Sequence, residues 1–375
     1  MSSSPVLSAS PAPLHILLPV KERFTASNAG AVAQVVRDMA RASRYRDQLV
    51  LGRDPQGPVL AELPFQMLKP RRGLLRGRNL GLAAAYLDWL DGQAGLPGLL
   101  EVHGRCHVAA YIAKRRPDLK IALFLHNDPR QMRGGARLAE RRWLLDNLAG
   151  IFCVSDYIRS CFLDGLETRP DTAKVAVTPL GVDRPVKKRP AKHKTIILVA
   201  RMVPEKGVLE TAAACAEILP DFPDWRLQLV GARGFANTRL SSYEKQVAAY
   251  VEKLGPQAEM TGFIPADEVQ ARQLQAAISV VPSLWPEPAS RAVLEALACG
   301  CALLTTRRGG IPERASGRAL ILEDPNQQSI AAALRGWLAN PAELQKWQDR
   351  AWQDYPFSFA AMAEIADQAR ADICR

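Results

Sequence analysis

Glu287 and Glu295 stand in the stretch Trp285-Pro286-Glu287-Pro288-Ala289-Ser290-Arg291-Ala292-Val293-Leu294-Glu295-Ala296-Leu297-Ala298-Cys299-Gly300. The segment after Pro288 has the apolar spacing of a helix, and the preceding run Ala277–Val281 reads as a buried strand. Glu287 therefore falls in a turn at a strand's carboxyl end, where open α/β sheets bind ligands. Free N–H groups at Ala289, Ser290 and Arg291 would donate to hydroxyls or anions. Glu287 offers an acceptor beside them, and Glu295 a second about two turns inside the helix. Together they suit a polyhydroxylated ligand. Taken alone, two glutamates favour a plainer account: an acidic first-turn residue and a solvated helix position, with Val293, Leu294, Leu297 and Ala298 as ordinary core.

A second unit upstream repeats the pattern and shifts that balance. Thr195–Ala200 reads as a strand, and Arg201-Met202-Val203-Pro204-Glu205-Lys206-Gly207 leads into a helix over Val208–Leu219. The fork-shaped donors of Arg201 and the point charge of Lys206 would add to a helix amino end in holding a diphosphate. An isolated pair of this spacing is otherwise two solvated loop charges.

Arg201, Lys206-Gly207, the Glu287 to Glu295 segment and Gly309-Gly310-Ile311-Pro312-Glu313 together resemble the donor-site signature of the retaining family 4 glycosyltransferases with the GT-B fold. The resemblance covers nearly the whole chain and is strongest from Val199 to Pro312. It implies an α/β architecture of two Rossmann-like parallel-sheet domains facing a central cleft, in which the four residues converge on one pocket. By the resemblance, Arg201 and Lys206 hold the donor's phosphates, Glu287 and the amides of Ala289, Ser290 and Arg291 contact the sugar, and Glu295 contacts the ribose. It also implies a front-face mechanism, in which the departing phosphate helps deprotonate the acceptor hydroxyl. Three places depart from the family pattern. Arg291 puts a guanidinium where a neutral residue is common, to reach a donor carboxylate or phosphate, or only solvent. Leu180 replaces the Asn of the family's Pro-Asn-Gly-Val-Asp. Asn28-Ala29-Gly30 stands where relatives have a glycine pair close to the donor, so Gly30 alone carries that expectation.

The elements that must position these residues alternate between short apolar strands and amphipathic helices in both halves. In the first half, strands are expected at Leu14–Leu18, Gln48–Leu51, Leu99–Val102, Ile121–His126, Gly150–Val154 and Val175–Thr178, with helices such as Gly30–Arg41, Cys106–Lys114 and Ala136–Leu148. In the second, strands are expected at Arg226–Val230, Ala258–Thr261, Ala277–Val281, Ala302–Thr305 and Ala319–Leu322, then helices around Pro341–Trp352 and Phe359–Cys374. The expected division is a disordered tail at 1–13, an acceptor-binding domain at 14–183, a Pro-rich charged linker at 184–194 and a nucleotide-sugar-binding domain at 195–356. A final helix at 357–375 crosses back to the first domain in the family.

His126 ends an expected strand and precedes Asn127-Asp128-Pro129-Arg130, a turn that directs side chains outward. The resemblance gives a histidine at this place a contact with the donor sugar near its reacting carbon; the plainer account is an Asx-type turn with a structural histidine. His103, flanked by Glu101 and Arg105, is a similar strand-end residue. Arg130 and Arg133 would bind acceptor phosphate or merely solvate the approach to the next helix. His103, Arg130 and Arg133 form the acceptor-side set.

At 375 residues, 48% of them hydrophobic, the chain is long enough for two cores. The tail lacks both the basic start and the apolar core of a secretory signal, and no segment approaches about 18 uninterrupted apolar residues. Seven cysteines without a C-x-x-C pair read as reduced, structural and cytoplasmic. The absence of H-E-x-x-H, paired C-x-x-C and D-x-D motifs gives no support to a catalytic metal, so protein cations must neutralise the diphosphate. No cofactor is expected beyond the donor substrate.

The net charge of +11 is densest at Lys69-Pro70-Arg71-Arg72-Gly73-Leu74-Leu75-Arg76-Gly77-Arg78. This stretch suits peripheral contact with an anionic membrane at its cytoplasmic face, or is a solvated loop. Nucleic-acid binding is disfavoured because aromatic residues are few and do not interleave with the charges. The expectation is a retaining, metal-independent transferase that moves a hexose-type sugar from a nucleoside diphosphate to a cell-surface glycan such as lipopolysaccharide core, capsule or a lipid-linked saccharide. A sugar-nucleotide epimerase of the same architecture and a basic nucleic-acid-associated protein are the alternatives.

Overall fold

The computed structural model describes residues 13–25, 29–60, 63–71, 77–167, 170–234 and 239–374. Most of the amino-terminal tail, Asn28, and Arg72 to Arg76 of the basic stretch lie outside them. The chain divides into two compact units: residues 1–181 with 359–375, and residues 182–358.

Unit 1 runs β1 (Leu14–Leu17), α1 (Ala31–Ala42), β2 (Gln48–Gly52), β3 (Phe65–Met67), α2 (Gly77–Asp91), β4 (Leu99–His103), α3 (Cys106–Ala113), β5 (Ile121–Leu125), α4 (Leu138–Asn147), β6 (Gly150–Cys153), α5 (Asp156–Leu163) and β7 (Val175–Val177). Its strands pair in parallel in the order β3-β2-β1-β4-β5-β6-β7. Helices cover both faces of such a sheet, so its central strands must be apolar on both sides. β5, Ile-Ala-Leu-Phe-Leu, is buried at every position. β4 is also buried throughout, although it carries Glu101 and His103.

Unit 2 continues with β8 (His193–Val199), α6 (Val208–Ile218), β9 (Arg226–Val230), α7 (Ser242–Leu254), β10 (Ala258–Gly262), α8 (Ala266–Gln275), β11 (Ala276–Val281), α9 (Arg291–Ala298), β12 (Ala302–Thr306), α10 (Pro312–Ala315), β13 (Leu320–Leu322), α11 (Gln327–Ala339) and α12 (Pro341–Gln353). Its parallel order is β10-β9-β8-β11-β12-β13. Ile196, Leu198, Leu227, Leu229, Ile278 and Val280 form the centre of its core, closed by α6 and α11. The last helix, α13 (Phe359–Cys374), belongs to unit 1 and packs on α1.

Three boundaries differ from expectation in ways that bear on chemistry. β5 stops at Leu125, so His126 lies just beyond the strand. β8 begins at His193, inside the expected linker, because Lys192 is tied to the unit 2 sheet by hydrogen bonds from its Nζ to the carbonyls of Leu274 (2.8 Å) and Cys299 (2.7 Å). α9 begins at Arg291, three residues past Pro288, which puts Glu295 one turn inside the helix instead of two.

Candidate active site

In unit 2 the strand order reverses between β8 and β11, the position at which a doubly wound sheet opens a crevice at its carboxyl edge. The connections leaving β8, β11 and β12 meet there. Leu284 N donates to Glu205 O at 2.9 Å, and Gly310 N donates to Glu287 O at 2.7 Å. Thr305 Oγ1 donates to Val281 O (2.8 Å) and Thr306 Oγ1 to Ser283 O (3.0 Å), fixing β12 to the start of the Glu287 loop. Gly309 has φ 61°, and a Cβ there would fall 2.2 Å from Glu287 O. Only glycine permits that approach.

Lys206 Nζ forms an ion pair with Glu287 Oε1, and the same oxygen accepts from Ser283 Oγ at 2.8 Å. Glu287 is 7% exposed, whereas the Lys206 side chain retains more contact with solvent. A long flexible ammonium held against a carboxylate at a sheet edge can exchange that partner for a ligand anion, leaving the carboxylate to accept hydroxyls. Arg201 lies two residues past the end of β8, with an exposed side chain that has no partner among the described residues. On α9, Arg291 Nε donates to Glu295 Oε1 at 2.8 Å. Ser290, buried before the first turn, gives no side-chain cap to that helix. The structure thus joins Lys206 to Glu287 and Arg291 to Glu295, on connections that flank one strand reversal.

In unit 1 the strand-end histidines meet: His103 Nδ1 lies 2.9 Å from His126 Nε2. Phe124 stacks on both rings, with centroids 4.7 and 4.8 Å away. Behind His103, its Nε2 faces Glu101 Oε2 at 3.5 Å. Arg370 of α13 grips Glu101 with two bonds of 2.8 and 3.1 Å and Asp367 with one of 2.7 Å. Asp367 in turn accepts from Ser43 Oγ and Arg44 N, both at 2.7 Å. Burial alone would raise the Glu101 carboxyl, but the Arg370 charge and the bonds from Arg370, with His103 close by, override it and hold it at about 2. Burial holds the His126 pKa well below its ordinary value.

The remaining acceptor-side residues are placed differently. Arg130 is committed to Asp128, with bonds of 3.0 and 2.8 Å, and to Asp164 at 2.9 Å, so its guanidinium ties the turn after β5 to the end of α5. Arg133 lines a cavity of about 500 Å³ with Tyr111, Lys114, Arg137 and Trp143. Gly30 precedes α1, whose amino end already has a carboxylate: Glu22 Oε2 accepts from Ala33 N at 3.1 Å. The described part of the basic stretch forms, with Arg53, the wall of a second cavity of about 850 Å³ that includes Lys69, Arg71 and Arg78. Among the described residues no helix is long and apolar enough to cross a membrane.

Sequence reasoning missed Ser283 and Arg370. A small hydroxyl two residues past an apolar strand is the only local signal for Ser283. For Arg370 the signal is a charge set among alanines in the last helix, together with an acid inside the apolar strand Leu99–His103.

Residues 182–354, nearly all of unit 2, match the family described as Glycosyl transferases group 1. YtcC of Bacillus subtilis is 28% identical over 252 residues, 62% of this chain and 62% of that protein. The lipopolysaccharide 1,2-N-acetylglucosaminetransferase of Salmonella typhimurium is 25% identical over 229 residues, 57% of this chain and 56% of that one. The chain therefore spans about three fifths of the length of the curated relatives it matches. Among solved structures, Anabaena Alr3699/HepE in complex with UDP and glucose superimposes with a TM-score of 0.73 at 15% identity, over 96% of this chain and 99% of that one. The two share the GT-B fold.

Proposed function

Because residues 182–354 match the glycosyl transferases group 1 family, we propose that this chain transfers a sugar from a nucleoside diphosphate to a glycan acceptor of the bacterial cell surface, with retention at the anomeric carbon. The observation that carries this reading is the Lys206–Glu287 pair, locked by Ser283 and Gly310 at the strand reversal of unit 2. It offers a cation for the diphosphate and an acceptor for sugar hydroxyls within one short loop cluster. Arg201, with no side-chain partner among the described residues, is the second phosphate ligand, and the amino end of α9 supplies backbone donors. Charge that develops on the leaving diphosphate is then met by fixed protein groups, and the reading invokes no metal or cofactor. Glu295 is assigned to the ribose; Arg291, which holds it, orients that carboxylate.

The donor class is supported by the HepE structure, which contains UDP and glucose, and the acceptor class by the lipopolysaccharide transferase among the relatives. By the family resemblance, His126 is read as a contact of the donor sugar. The cavity walled by Arg53, Lys69, Arg71 and Arg78 suits an acceptor bearing phosphate or carboxylate, or the headgroups of an anionic bilayer, which would place the protein at the cytoplasmic surface of the membrane.

The test has two stages. Thermal melting of the full chain is measured against UDP-, GDP- and ADP-sugars, where a ligand that prefers the folded state raises the melting temperature. Donor turnover is then compared in Lys206→Ala, with an expected loss of about 10²–10³-fold in kcat, the magnitude typical of removing one preorganised charge-stabilising donor. Undiminished turnover, or no melting shift with any nucleotide sugar, overturns the reading.

A further inference from the structure

The buried chain that runs from α13 to His126 has a polarity that its chemistry dictates. Arg370 and Glu101 are 2% and 0% exposed in their side chains, and the carboxylate is ionised under any ordinary condition. His103 Nε2 is buried and has no hydrogen-bond partner; its nearest charged neighbour is Glu101 Oε2 at 3.5 Å. A lone pair on that nitrogen would point at a carboxylate anion in a medium of low dielectric, which is strongly repulsive. The proton of neutral His103 therefore sits on Nε2. Nδ1 is left as an acceptor, and the only polar group it meets among the described residues is His126 Nε2 at 2.9 Å, which must donate. His126 Nδ1, which has no partner among the described residues, carries a lone pair on a ring that is partly exposed.

We propose that Glu101 and His103 are positioning residues that hold His126 in its Nε2–H tautomer, so that Nδ1 is offered to a substrate as a hydrogen-bond acceptor. The guanidinium of Arg370 anchors the carboxylate, and Phe124, stacked on both rings, fixes their planes. The same logic by which a second group on one ring nitrogen sets the state of the other governs metal-bound and catalytic histidines. Here it selects ligands. An acceptor nitrogen binds a hydroxyl and repels an anionic oxygen, so the group that reaches His126 is a neutral hydroxyl of the ligand and not a phosphate or carboxylate. The neutral ring persists near neutral pH because burial opposes its protonation; Arg105 acts in the same direction and Glu101 against it.

The tautomer can be tested without any substrate, whereas its use in sugar recognition rests on the transferase reading above. The chain has five histidines, few enough for long-range proton–nitrogen correlation NMR of the full-length protein labelled at histidine. His126 is assigned from the signals lost in His126→Gln. Above neutral pH, His126 is expected to show a protonated Nε2 and an unprotonated Nδ1; the opposite tautomer, or an even mixture, overturns the proposal. In His103→Leu the acceptor is gone, and the single tautomer should give way to a mixture. His103→Gln should restore it, because a glutamine amide can donate to Glu101 and accept from His126 at once. A folded His103→Leu that keeps the tautomer, or a folded His103→Gln that does not, refutes the relay. Should His103→Leu fail to fold, the wild-type tautomer and His103→Gln still decide. For the function, His103→Leu should lower kcat/KM for the nucleotide sugar about tenfold, the worth of one hydrogen bond, with recovery in His103→Gln. A wrong transferase assignment would instead leave the tautomer as described and show no sugar-nucleotide turnover in the wild type.

Discussion

Lys206–Glu287 in unit 2 and Arg370–Glu101 in unit 1 are both ion pairs to a glutamate, yet they do opposite work. The first joins two loops at a sheet edge, with the lysine side chain 23% exposed and the glutamate 9%. Its partners can separate, since water can replace either one and a ligand anion can take the place of the carboxylate beside Lys206. The second joins a central strand to the last helix at 2% and 0% exposure, with both guanidinium edges used and a second carboxylate, Asp367, on the same arginine. It cannot open without exposing a charge to the interior. An ion pair that can be exchanged is fitted to bind; one that cannot is fitted to hold something else in place, here the histidine pair beside it.

The most severe way to break the comparison is to remove one partner from each pair and measure stability instead of activity. Arg370→Met leaves Glu101 buried without its counter-ion and should destabilise unit 1 by about 3–5 kcal/mol, the range for orphaning a buried charge. Lys206→Ala leaves the Glu287 carboxylate at a sheet edge, still bonded by Ser283 Oγ, and should cost less, about 1–2 kcal/mol. Urea unfolding curves would register both. Equal losses from the two variants would show that the Lys206 pair is a structural tie as well, and would take away its exchangeable character.

Acid gives a second view of the same asymmetry. The Glu101 carboxyl sits at about 2 in the fold against 4.5 for an ordinary glutamate. With the folded value the lower, the unfolded chain binds more protons as pH drops, so the stability from this group is complete above 4.5 and is lost progressively toward 2. Wild-type protein should therefore lose urea resistance across that window more steeply than Glu101→Gln, in which the group no longer titrates. Parallel pH profiles for the two proteins would mean that Arg370 does not depress the carboxyl.

The two regions also differ in how far the sequence disclosed them. In unit 2 the chemistry is carried by turns directly after strands, and strand ends are legible from apolar runs; Arg226–Val230 has the bounds that its composition suggests. Arg201, Lys206 and Glu287 could be set at the carboxyl edge for that reason. The start of α9 was misjudged because Pro288-Ala289-Ser290 has helix-compatible residues whose backbone is instead shaped by the Glu287 carbonyl, which accepts from Gly310, a residue on another turn. In unit 1 the two histidines were visible as strand ends, but the group that polarises them was not. Glu101 and Arg370 are 269 positions apart, and no periodicity within β4 or α13 connects them. α2 escaped notice for a related reason: it is buried over much of its surface, so Gly81-Leu82-Ala83-Ala84-Ala85 presents no polar face to mark the turns.

The mildest perturbation distinguishes close packing from backbone strain in the loop that holds Glu287. Gly309 and Gly317 both have positive φ, 61° and 77°. Alanine at either should cost about 1 kcal/mol or slightly more for the left-handed backbone alone. At Gly317 nothing lies within 4 Å of the added Cβ, so strain is the whole cost. At Gly309 the Cβ would fall 2.2 Å from the Glu287 carbonyl oxygen and 2.6 Å from its nitrogen, so the Glu287 backbone has to move and the 2.7 Å bond from Gly310 is stretched. Gly309→Ala should therefore lose up to about 3 kcal/mol in unfolding experiments and also weaken nucleotide-sugar affinity, while Gly317→Ala loses only the smaller amount and binds normally. If the two variants bind nucleotide sugars equally well, the contact between the Gly309 turn and the Glu287 backbone contributes to the fold alone, and the geometry of the Lys206–Glu287 pair does not depend on it.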